Sequence, residues 1–277
     1  MKQAYSILLL LLICSCNVLG QCATTIPKSH KHNPPYFPYS SKSQIQYNVD
    51  RTLSVNIYVV ANGFQSYDWD ETDYMPDWEF LNELFEVIGM QFEICEEIQI
   101  PNYTYNTLSN VIEPGSDSEF DEEDEMLAQF YTENVINVYY VQTIINEPPA
   151  AGYAYFPGGP DVIVLEKGSG ELTLAHEMGH FFGLYHTFET EFGLEFVNGD
   201  NCETTGDFVC DTPADNLGPV NGDCQYDAYI TDANGDPYIP HINNIMSYYN
   251  DDCIFQFTAG QYNRMAWQYL TERNYLW

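Results

Sequence analysis

Apolar positions recur along this chain at two spacings. "TLSVNIYVVA" (52–61) is a run of β-branched and apolar residues and predicts a strand. In "MPDWEFLNELFEVIGM" (75–90), Trp78, Leu81, Leu84, Phe85 and Ile88 repeat at helical spacing, with proline near the start and Gly89 at the stop. "QFEICEEIQI" (91–100), "NVINVYYVQ" (134–142), "AGYAYFP" (151–157) and "DVIVLE" (161–166) predict further strands. Between them, "DSEFDEEDEML" (117–127) reads as a solvated loop or the first turn of a helix, where negative charge suits the dipole. "TAGQYNRMAWQYLTERNYLW" (258–277) predicts a terminal helix capped by Thr258. Strands alternating with helices, then a loop-rich remainder, point to an α/β body with an irregular lower part.

Residues 21–50, rich in Pro, Ser and Lys, show no helical or strand period and read as an extended arm or pro-segment. Before them, Lys2 and the apolar run Ile7–Ile13, ending at Val18-Leu19-Gly20, read as a secretory signal over 1–20. Lipoprotein acylation at "ICSC" is a weaker fit. No later segment is long and apolar enough for a transmembrane helix. Export makes disulfides the default for the mature cysteines, and Cys202, Cys210, Cys224 and Cys253 cluster in the last third. Cys22 has two readings, a disulfide with Cys95 or a thiolate ligand to a metal. The balance of 41 acidic against 8 basic side chains, net −33, would repel nucleic acid and attract cations and basic peptides; the plainer reading is that it only keeps an extracellular protein soluble.

"TLAHEMGHFFGLYH" (173–186) carries the chemistry. His176 and His180 lie four apart, on one face of a helix, where both reach one ion. Gly183 is able to end the helix in a left-handed turn and return His186 as a third ligand. Three neutral imidazoles leave one position open, as catalytic zinc requires, and Glu177 is placed to take a proton from water. Five such fixed positions match by chance in a chain this long with probability on the order of 10⁻⁵, which favours a built site over a histidine-rich helix. His241 lies nearby in sequence.

The pattern H-E-x-x-H-x-x-G-x-x-H resembles that of the metzincin zinc endopeptidases. "HTF" (186–188), "GDFVCDTPAD" (206–215), "NIMSYYNDDC" (244–253) and "FTAGQYNRM" (257–265) resemble the pappalysin family within that clan, including ulilysin-like members. The resemblance implies a twisted, mixed five-stranded sheet with a backing helix and an active-site helix. The protease domain would run over 51–277, with an upper part to 183 and a disulfide-stapled lower part from 184. It implies zinc on His176, His180 and His186, and Glu177 as general base and acid. Tyr248 would serve the oxyanion, and Met246 would form the floor of a Met-turn. The substrate would pair with an edge strand, for which "GYAYFP" (152–157) is the candidate. A calcium site would use Glu191, Asp207, Thr212 and the carbonyl of Val209, the alternative being an ordinary acidic loop; "DANGD" (232–236) reads as a turn. Asp252 would sit in the S1′ pocket and select Arg or Lys after the scissile bond. Cys224 would pair with Cys253 and Cys202 with Cys210, although Cys210 departs from the family pattern by lying inside the Asp-Thr-Pro segment. Together these imply a secreted, monomeric zinc endopeptidase acting on peptides. The alternative is a silent adhesion or peptide-binding protein with the same fold.

Overall fold

The structure, a computed structural model, describes residues 21–32, 37–38, 44–63, 69–109, 122–146 and 149–277. The signal expected over 1–20 and the acidic residues 117–121 lie outside these. In chain order the elements are β1 (Gln21–Cys22), α1 (Lys28–His32), β2 (Arg51–Val60), α2 (Glu71–Phe85), β3 (Met90–Ile100), β4 (Thr107–Ser109) and α3 (Glu122–Phe130). They continue with β5 (Ile136–Val141), β6 (Thr143–Ile145), β7 (Ala150–Ala154), β8 (Val162–Glu166), α4 (Glu171–Phe181) and α5 (Ala259–Glu272).

Five strands form the body of the sheet in the order β7-β8-β5-β2-β3, and the arm adds β1 outside β7 as a sixth. All neighbouring pairs run parallel except β7 with β8. The central strands are apolar at nearly every position because both faces are covered. Leu53, Val55, Ile57 and Val59 pack toward α2 and α4, while Tyr58 and Val60 turn to a second core with Tyr139, Val141, Tyr105 and Leu108. That two-sided burial is why these strands read as runs rather than as alternation.

Three features differ from the sequence reading. Helix α2 begins four residues before Met75, because Asp70 caps it: Asp70 Oδ1 accepts from Thr72 N–H at 2.9 Å, and Asp73 accepts from Asp70 N–H at 2.9 Å. Its proline therefore stands inside the helix. The arm, read as period-free, forms one helical turn at Lys28–His32. The disulfide considered between Cys22 and Cys95 is absent, and both cysteines are free. Cys22 is on β1 and Cys95 on β3, at opposite edges of a six-stranded sheet. Five strand spacings separate them by on the order of 24 Å, far beyond disulfide reach. Cys95 is the extra residue of a bulge, since Val55 pairs with Ile94 and Asn56 with Glu96. The bridges Cys202–Cys210 and Cys224–Cys253 are formed.

Helix α5 ties the irregular lower part to the body with two fully buried arginines. Arg264 Nε donates to Gly183 O at 2.7 Å and Arg273 Nε to Phe181 O at 3.1 Å. These carbonyls close α4, where backbone acceptors lack helical partners. Arg273 is also ion-paired with buried Asp161, which accepts from Tyr275 Oη at 2.8 Å. Among the described residues, no helix is long and apolar enough to cross a membrane.

Replacing Arg273 by alanine strands the Asp161 carboxylate in the core and frees two carbonyls. We expect a loss of about 3–5 kcal/mol, read in thermal unfolding as a Tm fall on the order of 10 °C. Arg51→Ala, at an exposed position, serves as the control and should leave Tm nearly unchanged.

Candidate active site

Every side chain of α4 from Thr173 to Phe181 is buried, although the helix carries two histidines and a glutamate. Polar groups there must be satisfied, and the backbone supplies two of the partners. His176 Nδ1 lies 2.6 Å from Ile245 O, and His180 Nδ1 lies 2.7 Å from Leu184 O. A carbonyl only accepts, so both Nδ1 atoms carry the proton and both Nε2 atoms present lone pairs. Those lone pairs converge: His180 Nε2 is 3.1 Å from His176 Nε2 and 3.1 Å from His186 Nε2. Lone pairs facing at that distance repel unless a cation lies among them. The spacing is close to the edge of about 3.3 Å expected for tetrahedral zinc with Zn–N near 2.0–2.1 Å.

Burial holds the imidazoles in the ligating, neutral form. His176 is pulled down to about 4 by desolvation, opposed by the Ile245 carbonyl. His180 and His186 fall well below the usual range, through desolvation and then the neighbouring imidazoles. Glu177 is fully buried, and desolvation raises its carboxyl to about 8, while bonds from Cys22 and Thr24 pull it back. Its Oε1 is buried without a hydrogen-bond partner. Three inward lone pairs beside an orphaned carboxylate oxygen fit a zinc ion with a water next to it.

Gly183 has φ 84°, the left-handed turn expected to bring His186 back. The turn containing Met246 packs beneath α4 at Gly179, where an added Cβ would stand 2.5 Å from Met246 Sδ. Sequence reading passed over Gly179; its signal was a glycine inside a helix, unfavourable by about 1 kcal/mol against alanine. Met246 is fully buried in the main core, as a floor should be. Tyr248 Oη lies 3.0 Å from His186 Nε2, and burial raises its phenol, followed by the effect of Cys22 and Glu177.

The arm enters this cleft. Ala23 N–H donates to Gly152 O at 2.9 Å, so the arm pairs with β7, the candidate substrate edge. Cys22 Sγ and the three histidine nitrogens all lie within 4.8 Å of one another. Cys22 Sγ is 3.3 Å from Glu177 Oε2, and Thr24 Oγ1 donates to the same oxygen at 2.9 Å while accepting from Ala154 N–H at 2.8 Å. Cys22 N–H donates to Tyr248 Oη at 3.1 Å. Nothing in the sequence pattern pointed to Thr24. A narrow cleft runs from here between Leu172, Thr173, Ile245, Ser247 and Ile254.

Other expected site residues are spread more widely. Asp207 and Thr212 meet, with Thr212 Oγ1 at 2.9 Å from Asp207 Oδ2 and against the Val209 carbonyl. Glu191 is not with them: it pairs at the surface with Lys31 at 3.6 Å. Glu195 is the glutamate on which the charge of Asp207 bears, and burial pushes Glu195 up to about 9 and Asp207 up to about 7. "DANGD" is a turn, with Asp232 Oδ1 accepting from Asn234 and Asp236 N–H. His241 is exposed and outside the histidine cluster. Asp252 is exposed in a single 3₁₀ turn, two residues before Ile254 of the cleft wall.

Residues 165–269 match the Peptidase_M43 family, described as pregnancy-associated plasma protein-A. An extracellular metalloprotease of Colletotrichum graminicola is 34% identical over 149 residues, covering 47% of this chain and 48% of that protein. The chain thus spans about half the length of this curated relative. In fold it is similar to mirolysin in complex with compound 9, at TM-score 0.57 and 19% identity over 84% of this chain and 96% of that one. It is also similar to mature mirolysin of Tannerella forsythia in complex with a cleaved peptide, at TM-score 0.51 and 18% identity over 85% and 98%. The three-histidine helix, the left-handed glycine turn and the turn of Met246 all lie within residues 165–269, the part of the chain that is similar to the Peptidase_M43 family.

Proposed function

We propose that the protein is a secreted, monomeric zinc endopeptidase, on the strength above all of three imidazole nitrogens, two of them from buried histidines, converging beside buried Glu177. His176, His180 and His186 would hold the zinc. When bound, it supplies Lewis acidity toward the scissile carbonyl and acidifies a neighbouring water. Glu177 then takes the proton of the attacking water and returns it to the departing amine. Its dry pocket keeps its basicity near neutrality, where proton transfer in both directions is efficient. The Tyr248 phenol donates to the carbonyl oxygen as it becomes an oxyanion. Peptide substrates lie extended along β7, using the Ala154 N–H and Gly152 O that the arm now holds. The cleaved peptide in the mirolysin complex and the extracellular naming of relatives support this reading.

The arm is the latent state of the same site. Cys22 would close the metal's fourth position, and Thr24 occupies the general base. Specificity rests on Asp252: an acid at the mouth of the primed side, beside Ile254, favours Arg and then Lys after the cleaved bond. A calcium ion at Asp207, Thr212 and Val209 O, with Glu195 in place of Glu191, is the matching structural reading of the lower part.

Glu177→Ala should lower casein or peptide cleavage by about 10²–10⁴-fold with one zinc per chain retained by elemental analysis. Zinc bound with unchanged cleavage would instead remove Glu177 from the mechanism, and a wild-type protein that binds zinc but cuts nothing would be the silent binding protein. Cys22→Ala should raise the initial rate of the unprocessed chain and shorten any lag before activity. An unchanged lag, followed by N-terminal sequencing, would rule Cys22 out of latency. Peptide-library profiling should show Arg and Lys at P1′ in the wild type and a flattened preference in Asp252→Ala; an apolar preference common to both sinks the assignment.

A further inference from the structure

Asp215 closes the segment "CDTPAD" and has no part in the mechanism above. It is 9% exposed and accepts four hydrogen bonds. Oδ2 takes Thr187 Oγ1 at 2.7 Å and Ser247 Oγ at 2.9 Å. Oδ1 takes Tyr249 Oη at 2.6 Å and Leu217 N–H at 2.8 Å. Hydrogen bonds to a carboxylate are about twice as strong as neutral ones, so this residue is a stiff junction. Three of its four donors flank site residues: Thr187 follows His186, while Ser247 and Tyr249 stand on either side of Tyr248.

The Tyr248 hydroxyl has little else to fix it. Its contacts are to the backbone of Cys22, which belongs to the arm, and to His186. Once a substrate replaces the arm, the phenol is held through its backbone. Asn244 secures that backbone upstream, with Oδ1 accepting from Met246 N–H at 2.8 Å and the carbonyl from Ser247 N–H at 3.1 Å. Asp215 alone among these reaches both sides of position 248, and on the same oxygen it anchors the loop of the third histidine.

Taking Tyr248 as the oxyanion donor proposed above, we propose that Asp215 is a positioning residue that sets the phenol of Tyr248 against His186, by clamping Ser247, Tyr249 and Thr187 to one carboxylate. Misplacing a catalytic group by an ångström lowers turnover by about 10²-fold without changing what binds substrate. Asp215→Asn keeps the shape. Its amide oxygen still accepts from Leu217 N–H and Tyr249 Oη, while its NH₂ group donates where the carboxylate accepted, so the Thr187 and Ser247 hydroxyls lose their charged acceptor and must reverse their roles.

The test is a double-mutant cycle on the zinc-loaded full chain, using peptide hydrolysis. Asp215→Asn should lower kcat about 10- to 100-fold with KM within about twofold, because only the transition state uses the phenol. In a Tyr248→Phe background the same change should cost less than about twofold. Losses that multiply in the double variant, or a wild-type kcat in Asp215→Asn, overturn the proposal. Ser247→Ala removes one strut and should show a smaller loss with the same non-additivity. It decides the matter if Asp215→Asn does not fold. A second readout needs no turnover: in the zinc-loaded chain with ring-labelled tyrosine, the NMR signal that Tyr248→Phe deletes should shift or broaden in Asp215→Asn. An unmoved signal overturns the clamp, whereas a wild type that cleaves no peptide overturns the enzyme reading and leaves this signal to judge Asp215.

Discussion

Three imidazole Nε2 atoms directed at one point, those of His176 and His180 in a buried helix and that of half-buried His186, are the arrangement on which this molecule depends. Such an array is repulsive by itself, and burial forbids relief by protonation, since a charged imidazolium is worse still in that environment. The protein secures it by fixing the opposite nitrogens. The Nδ1–H groups of His176 and His180 are spent on Ile245 O and Leu184 O. One of those carbonyls comes from the methionine turn and the other from the chain just past the end of α4. Tautomer and ring direction are therefore set by backbone atoms some sixty residues apart, the way outer hydrogen bonds orient histidine ligands in zinc sites.

Much of the lower part can be understood as support for those two carbonyls. The Asn244 side chain braces Ile245 and Met246 and pairs with Gln261 of α5, through bonds of 2.8 and 3.1 Å. Arg264 and Arg273, also from α5, hold Gly183 O and Phe181 O on either side of the helix end. Asp211 fastens the start of α5, accepting from Thr258 Oγ1 at 2.7 Å and Gly260 N–H at 2.8 Å. Regular structure is sparse here, so side chains and two disulfides do what a ladder does in the sheet. The Asp-Thr-Pro segment is thus a junction with Asp207 facing the glutamate loop, Asp211 the terminal helix and Asp215 the active-site turns.

How much of this the sequence disclosed follows from where each signal is local. The strands, α2, α4 and α5 are legible because apolar spacing and caps such as Thr258 act within a few residues. The zinc helix is legible because its ligands share one turn, and Gly183 carries the third around a bend that only glycine favours. Contacts made across the fold left no such trace. Glu195 rather than Glu191 stands near Asp207, and both are glutamates in an acidic loop that spacing cannot tell apart. Cys22 and Cys95 looked equivalent as unpaired thiols until the strand order put them on opposite edges. Thr24 reads as any threonine in a polar arm, and its meaning comes wholly from pairing with β7.

The arm also gives the strong charge imbalance a local sense. Of eight basic side chains, Lys28, Lys31 and Lys42 belong to the arm, whereas Arg264 and Arg273 of the body are buried. Among the described residues of the arm, Lys31 meets Glu191 of the acidic body. On the proposed reading, departure of the arm would free Glu177, Tyr248 and the β7 edge and would take the charge of Lys31 away from Glu191. Over distances beyond about 8 Å salt screens such fields, so the gain is in the encounter rate of cationic peptides rather than in their fit. Fit, on the same proposal, would belong to the short-range groups, Asp252 at the rim and the atoms of β7. The atoms that restrain the latent chain are thus the ones assigned to substrate. Any substitution that tightens the arm through Glu177 or Ala154 must then act on groups needed for turnover, while contacts farther along the arm, such as His30 with Tyr185 at 2.9 Å, are free to tune latency alone.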